Sequence, residues 1–402
     1  SVNALRASKG SASHDLDAAR ADYLPTVDLD ISAGYQDVTN STSRGRATRP
    51  VDGDDGHASG FLYNKESLII RENLFKGYET QGREAAAVAT LSERDYQVQD
   101  ISELIALRAA QAYFDVMRSE ENLRLAEASV ADHETTLEEV RIRVETGGGS
   151  PVEIDQVEGR LALARSRVID ARLARRNAYS LYAEAVGEDP DSLAMPPLPA
   201  ADIPANLEEA ILIAEANSPA LKSALARTRA RGADVTVARA GMYPSVDLEL
   251  GFNAEDNVDA DPEPSRDVTL LLKLRYNLYR GGADKSREAS SRQLLVESRH
   301  REAEVKRTLH KSVEDAYHAL ETARAQRQIN EARVASSKKV TATYEEQFIL
   351  GQRTLIETMD ARTELIQAES ALNTAVSQEA FAHYQLLAAM GRLVPTLRGQ
   401  AQ

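Results

Sequence analysis

Apolar residues along the chain follow two different periods, and the change from one to the other divides it into elements. Val27, Leu29, Ile31, Ala33 and Tyr35 alternate with Asp28, Asp30, Ser32, Gly34 and Gln36. That period of two predicts a strand with one greasy and one polar face. Val268, Leu270, Leu272, Leu274, Tyr276 and Leu278 alternate in the same way with Thr269, Lys273, Arg275 and Asn277. From Thr80 to about Glu145 no proline intervenes, and apolar residues recur at helical spacing, among them Ile101, Ile105, Ala112, Val116, Leu123, Leu137 and Val144. At about 1.5 Å per residue this predicts a helical rod of roughly 100 Å. Residues 284–350 repeat it. After Gly147-Gly148-Gly149-Ser150-Pro151 a shorter helix returns, with a spine that includes Val157, Leu161, Ala164 and Val168. Spacing of three and four along both spines follows the heptad rule, so each long and short helix forms an antiparallel coiled-coil hairpin.

The pattern occurs twice. A shift of 204 positions superposes residues 68–187 on 272–391 without a gap, and self-similarity over such a length decides an architecture before any local reading does. Gly77, Gly147 and Gly187 recur as Gly281, Gly351 and Gly391, and Arg83-Glu84-Ala85 as Arg287-Glu288-Ala289. Upstream the shift is 219: Ala19-Arg20-Ala21 and Pro25 match Ala238-Arg239-Ala240 and Pro244. The difference (219 − 204 = 15) places 15 extra residues between Val27 and Leu68, in a polar loop rich in Ser, Asp and Gly. Each copy therefore reads helix, strand, loop, strand, long helix, turn, helix. The expected organisation is a first repeat over 1–187 whose start is trimmed, a proline-rich linker over 188–206, a second repeat over 207–391 and a C-terminal tail over 392–402.

Composition narrows the function. No apolar run reaches the about 18 residues that a membrane-crossing helix needs, whereas the weaker alternation of a membrane β-barrel remains compatible. A net charge of -15 argues against nucleic acid, whose binders carry basic surfaces. The chain has no cysteine, which removes disulfides, thiolate metal sites and a lipid-bearing cysteine. Ser1-Val2-Asn3-Ala4-Leu5-Arg6 lacks the apolar segment of a signal peptide, as expected either of a cytosolic protein or of a processed or trimmed form, and the truncated first copy favours trimming. The seven histidines show no zinc-protease spacing, and no serine, histidine and acid set stands out, so no enzyme and no cofactor is expected.

Two strands per copy give four per chain, too few to close a membrane barrel, for which about eight is the practical minimum. Three chains would supply twelve. The layout then resembles the TolC family of outer-membrane factors over essentially the whole chain. The residues that carry the likeness are Tyr23-Leu24-Pro25-Thr26-Val27 and Tyr243-Pro244-Ser245-Val246, which start the first strand of each copy. Asn73-Leu74-Phe75-Lys76-Gly77 and Asn277-Leu278-Tyr279-Arg280-Gly281-Gly282 lead from strand to helix, and Leu350-Gly351-Gln352-Arg353-Thr354-Leu355-Ile356-Glu357-Thr358-Met359-Asp360-Ala361 is the most specific. The resemblance implies a mostly α, α+β fold, and a homotrimer with a twelve-stranded barrel in outer-membrane lipid continued by a helical tunnel through the periplasm. It also implies a periplasmic adaptor (membrane fusion protein) and an inner-membrane ABC or RND transporter as partners.

In the family motif two acidic residues after the second tip line the narrow end, here Glu357 and Asp360, with Arg353 as the basic latch residue and Glu153 as the counterpart of Glu357 in the first copy. Acidic rings favour cations, and clustered like charges raise carboxylate pKa values. The alternative for both acids is an ordinary solvated helix flank. The hairpin tips, with Gly147, Gly148, Ser150, Gly351, Gln352 and Thr354, are the expected adaptor contacts. Where relatives often carry a tyrosine before the tip glycine this chain has Phe348, and Glu345 and Glu346 read as surface charge. Tyr35, Phe61, Tyr63, Phe252 and Tyr276 are candidates for an aromatic belt at the membrane interface. A general likeness around 143–162 and 345–366, with the missing anchor cysteine, points to type I protein secretion rather than small-molecule efflux. The reading of a different class is a periplasmic coiled-coil adaptor or scaffold without a pore.

Overall fold

The computed structural model describes residues 2–36, 61–199, 202–256, 258 and 264–400; the polar loop expected between Val27 and Leu68 falls mostly outside them. Elements follow in the order α1 (Val2–Ala21), β1 (Thr26–Gln36), β2 (Phe61–Lys76), α2 (Glu79–Glu145), α3 (Pro151–Val186), α4 (Leu207–Asn217), α5 (Pro219–Ala240), β3 (Ser245–Asp256), β4 (Ser265–Arg275), α6 (Ala283–Ile349), α7 (Leu355–Ala389) and α8 (Leu393–Gln400). The two long helices have 67 residues each. The fold is α+β and mostly α, as expected. Among the described residues no helix is long and apolar enough to cross a membrane.

The three glycine pairs aligned by the repeat share one backbone conformation. Gly77 and Gly281, Gly147 and Gly351, and Gly187 and Gly391 all have positive φ, which a residue without Cβ adopts without strain. At the tips the glycine ends the long helix, with Gly148 N–H reaching Arg143 O (2.9 Å) and Gln352 N–H reaching Gln347 O (2.8 Å). These are the reaching-back bonds of a Schellman end.

The chain divides into two compact units that do not coincide with the two sequence copies: each takes part of both. The first (Asn3–Asp95 and Ser223–Ala303, with Ser1) holds one antiparallel sheet in the order β1-β2-β3-β4. Register places Val27, Ile70, Leu250 and Leu270 in one row and Leu29, Leu68, Phe252 and Val268 in the next. This face is bare: Val27, Leu29, Ile31 and Tyr35 are 61%, 65%, 66% and 68% exposed, and Val268, Leu270, Leu272 and Leu274 are 67%, 68%, 68% and 69% exposed. The other face is a polar lattice. Lys273 Nζ donates to Glu249 Oε1 (2.6 Å) and Arg71 Nη2 to Glu249 Oε2 (3.3 Å). Asn73 donates to Asp247 (2.7 Å), Ser67 to Asn253 (2.8 Å) and Asn253 to Asp267 (2.9 Å).

The second unit (Tyr96–Lys222 and Glu304–Gln402, with Val2) packs the hairpins α2–α3 and α6–α7. Val157, Leu161, Ala164, Val168 and Ala178 of the expected α3 spine are buried, and α7 buries Ala361, Ala368, Ala375, Ala382 and Leu386 of its own. The segment read as a tail begins instead as helix α8. Two of its unpaired N-terminal donors are met from α2, where buried Glu103 accepts from Leu393 N–H (3.0 Å) and Val394 N–H (3.1 Å), as helix starts require.

Candidate functional site

The tips of the two hairpins share one local design. Ser150 and Thr354 are N-caps of α3 and α7, and Glu153 and Glu357, three residues on, fold back to the cap N–H, completing a capping box at both. The pattern Ser/Thr-x-x-Glu announces this arrangement in the sequence. Each glutamate also meets an arginine, but from a different place. Arg143, at the end of α2, reaches Glu153 (Nη2 to Oε2, 3.0 Å); Arg353, in the second turn, reaches Glu357 (Nη1 to Oε1, 2.7 Å). The position equivalent to Arg143 is Gln347, which accepts from Arg353 Nε (3.0 Å). The position equivalent to Arg353 is Gly149, where an added Cβ would lie 2.9 Å from Glu153 Oε2. Arginine and its counterpart have changed places while the ion pair is kept.

Aromatic rings back both arginines. The Arg143 guanidinium lies 4.6 Å from the Phe348 ring centroid and that of Arg353 4.2 Å from Tyr344, within cation–π range. Phe348 also packs on a cluster of Leu137, Val140, Val157, Leu161, Leu355 and Met359, an apolar role that needs no hydroxyl.

Glu357 is satisfied within its own chain. Its carboxylate accepts from Thr354 N–H (2.9 Å), Thr354 Oγ1 (2.8 Å) and Arg353. Those bonds, the backbone one first, hold it down to about 2, because each favours the charged form. Asp360, 59% exposed, is bound by Arg160 of α3 (2.6 Å). Arg362 on α7 is the centre of the site: it donates to Glu345 of α6 (2.7 Å), Asp132 of α2 (3.0 Å) and Thr136 of α2 (2.9 Å). Glu345 is thus engaged rather than plain surface charge. Arg160 and Arg362 tie the two hairpins together and were not singled out in the sequence, since partners up to 230 residues apart leave no local pattern. The described residues contain no group of acids and histidines able to hold a metal ion.

This design sits in a chain whose family can be read directly. The family model "Outer membrane efflux protein" matches residues 1–188 and 210–392. The chain belongs to that family. Its members are outer-membrane channels, so the chain is an outer-membrane protein of a transport family, and the reading as a pore-less scaffold is not favoured. It is similar to the outer membrane efflux protein BepC of Brucella suis, 24% identical over 90% of this chain and 78% of that protein. It is also similar to the outer membrane protein TolC of Vibrio cholerae, 23% identical over 97% and 87%. The fold matches the CmeC outer membrane channel of Campylobacter jejuni with a TM-score of 0.79 at 16% identity, covering 100% of this chain and 86% of that one.

For a protein of this family the faces of the sheet matter, and register sorts the aromatic candidates. Tyr35 and Phe252 lie on the exposed apolar face. Tyr63 does not: it stands opposite Gly34 on the polar face, and its ring fills the space above that glycine. Phe61 opens β2 opposite Gln36, and Tyr276 follows β4 directly, half exposed.

Proposed function

We propose that three copies of this chain form the exit duct of a tripartite export system, their sheets closing a twelve-stranded barrel in outer-membrane lipid and their hairpins a periplasmic tunnel. The observation that carries the reading is the bare apolar face of a four-stranded sheet whose two edges, β1 and β4, are free among the described residues. Water-exposed rows of Leu, Ile and Val are costly, free edges invite strand addition, and lipid plus closure removes both costs. Tyr35, Phe252 and Tyr276 anchor the interface. The tips meet the adaptor through Gly147, Gly148, Ser150, Gly351, Gln352 and Thr354. Glu357, Asp360 and Arg353 border the narrow end, with Glu153 in support, and an inner-membrane ABC or RND transporter supplies the energy.

The cargo assigned here is a secreted protein of a type I system, supported by the likeness of the tip segments at 143–162 and 345–366. Conductance of the purified protein in a planar bilayer tests the channel; a soluble monomer without conductance would sink it. Deletion in the native host separates cargoes: loss of an extracellular protein supports type I secretion, and drug or metabolite sensitivity with an intact secretome replaces it by small-molecule efflux.

A further inference from the structure

The two free edges of the sheet fit each other in length, direction and charge, and we infer that a salt bridge between Asp28 of one copy and Lys273 of the next closes the barrel seam. This rests on the trimeric reading above. β1 and β4 both have 11 residues, and three antiparallel pairings between them make β4 antiparallel to β1, so a neighbour's β1 can extend the ladder. Within the sheet one row runs Asp28, Ile69, Gly251, Thr269. Pairing the 11-residue edges end to end sets Thr26 opposite Arg275 and Asp28 opposite Lys273, a stagger of four residues from that row.

A stagger of four is one that closure allows and that pairs both edges over their full length. Four residues are about 13 Å along a strand and four strands about 19 Å across, a tilt of about 35°, inside the range of membrane barrels. A stagger of two gives about 19°, too flat. Odd values would set apolar residues against polar ones. A stagger of six still brings Asp28 and Asp30 to Arg275 and Lys273, but leaves Thr26, Val27, Ser265 and Arg266 unpaired. Four in the opposite sense overlaps only Thr26–Asp28 with Ser265–Asp267 and leaves eight residues of each edge unpaired.

Charge agrees. The polar face already alternates across β2, β3 and β4 as Arg71, Glu249 and Lys273. Asp28, exposed on the edge strand, supplies the next negative charge, and the neighbour's Arg71 follows it. On the other face the same register sets Leu29 against Leu272 and Ile31 against Leu270, so the apolar wall continues across the seam.

A chain without cysteine allows a clean test. Cross-strand Cα atoms stand about 4.5–5.5 Å apart, within disulfide reach. In the outer membrane, Asp28→Cys combined with Lys273→Cys is expected to yield covalent dimers and trimers on non-reducing gels, and Asp28→Cys with Thr269→Cys none. Crosslinking of the second pair, or of neither in a protein that is still trimeric, overturns the register and leaves the channel reading standing. An unmodified protein that is not trimeric overturns the channel reading itself. Should the cysteine variants not accumulate, charge exchange decides. Asp28→Lys alone is expected to lower the trimer yield at least several-fold, and Asp28→Lys with Lys273→Asp to restore it; no restoration overturns the seam.

Discussion

Glu345 and Arg362 hold the places that Arg141 and Glu158 hold in the other copy, with the charges exchanged. Both pairs join a long helix to a short one at 2.7 Å. The exchange has a consequence, because the positive member of the second pair now sits on α7, facing α2. Arg362, only 24% exposed, adds Asp132 and Thr136 to Glu345, whereas Arg141 pairs with Glu158, both about half exposed.

Arg362→Ala is therefore expected to destabilise the tip by about 1–3 kcal/mol, since a largely buried guanidinium loses three hydrogen bonds. Arg141→Ala should cost below about 1 kcal/mol, as exposed pairs do. Thermal melting followed by circular dichroism, with hydrogen exchange over residues 130–140, checks both. Equal losses in the two variants would remove Arg362 from the centre of the site.

The cluster beneath the tips makes a second expectation. Met359 is 3% exposed and touches the group built by Val140 and Val157 from the other hairpin. Met359→Ala should cost about 2–5 kcal/mol, the range for truncation in a filled core, and Met359→Leu should cost far less. Chemical denaturation measures the difference; similar losses would mean that the cluster is not tightly packed.

How much of this was legible in the sequence follows from the range of each interaction. Alternation in β1 and β4, heptad spacing in α3 and α7 and the repeated glycines depend on near neighbours, so they stand on the page before any fold is known. The parity of Tyr63 does not: an apolar aromatic suits either face, and only its register with Gly34 places it on the polar one. The roles of Phe348 and Glu345 were likewise hidden, since each is set by residues on other helices. Glu153 and Glu357 were visible but read for charge alone, although the Ser/Thr three residues before each announced a cap.

A third expectation concerns pH. His383 is 2% exposed; its Nδ1–H donates to Glu379 O (2.8 Å), and Nε2 accepts from Arg324 Nη2 (3.1 Å). Burial first, with Arg324 adding to it, holds the imidazole below its ordinary value. The unfolded chain therefore binds the proton before the folded one does, and stability falls as pH drops below about 6.5. Melting temperature should decline from about pH 7.5 to 5 less steeply in His383→Gln than in the unmodified protein. Parallel slopes would show that His383 does not report pH.

The last expectation separates the two acids of the tip from their charge. Glu357 is held at about 2 by Thr354 and Arg353. A lowered carboxylate value contributes stability that is present above the ordinary value of about 4.5 and lost only as pH falls through the folded one, so Glu357 stays ionised across any physiological pH. Arg353 neutralises it, and Arg160 does the same for Asp360. The rings proposed at the narrow end are then rings of ion pairs rather than of bare carboxylates. Removing the acid alone leaves an unpaired arginine, so Glu357→Ala should lower cation preference in bilayers more than Glu357→Ala with Arg353→Ala does. The same order should hold for Asp360→Ala against Asp360→Ala with Arg160→Ala. Reversal potentials under a salt gradient measure all four variants, and a double variant as anion-preferring as its single parent would show that the arginines do not face the pore.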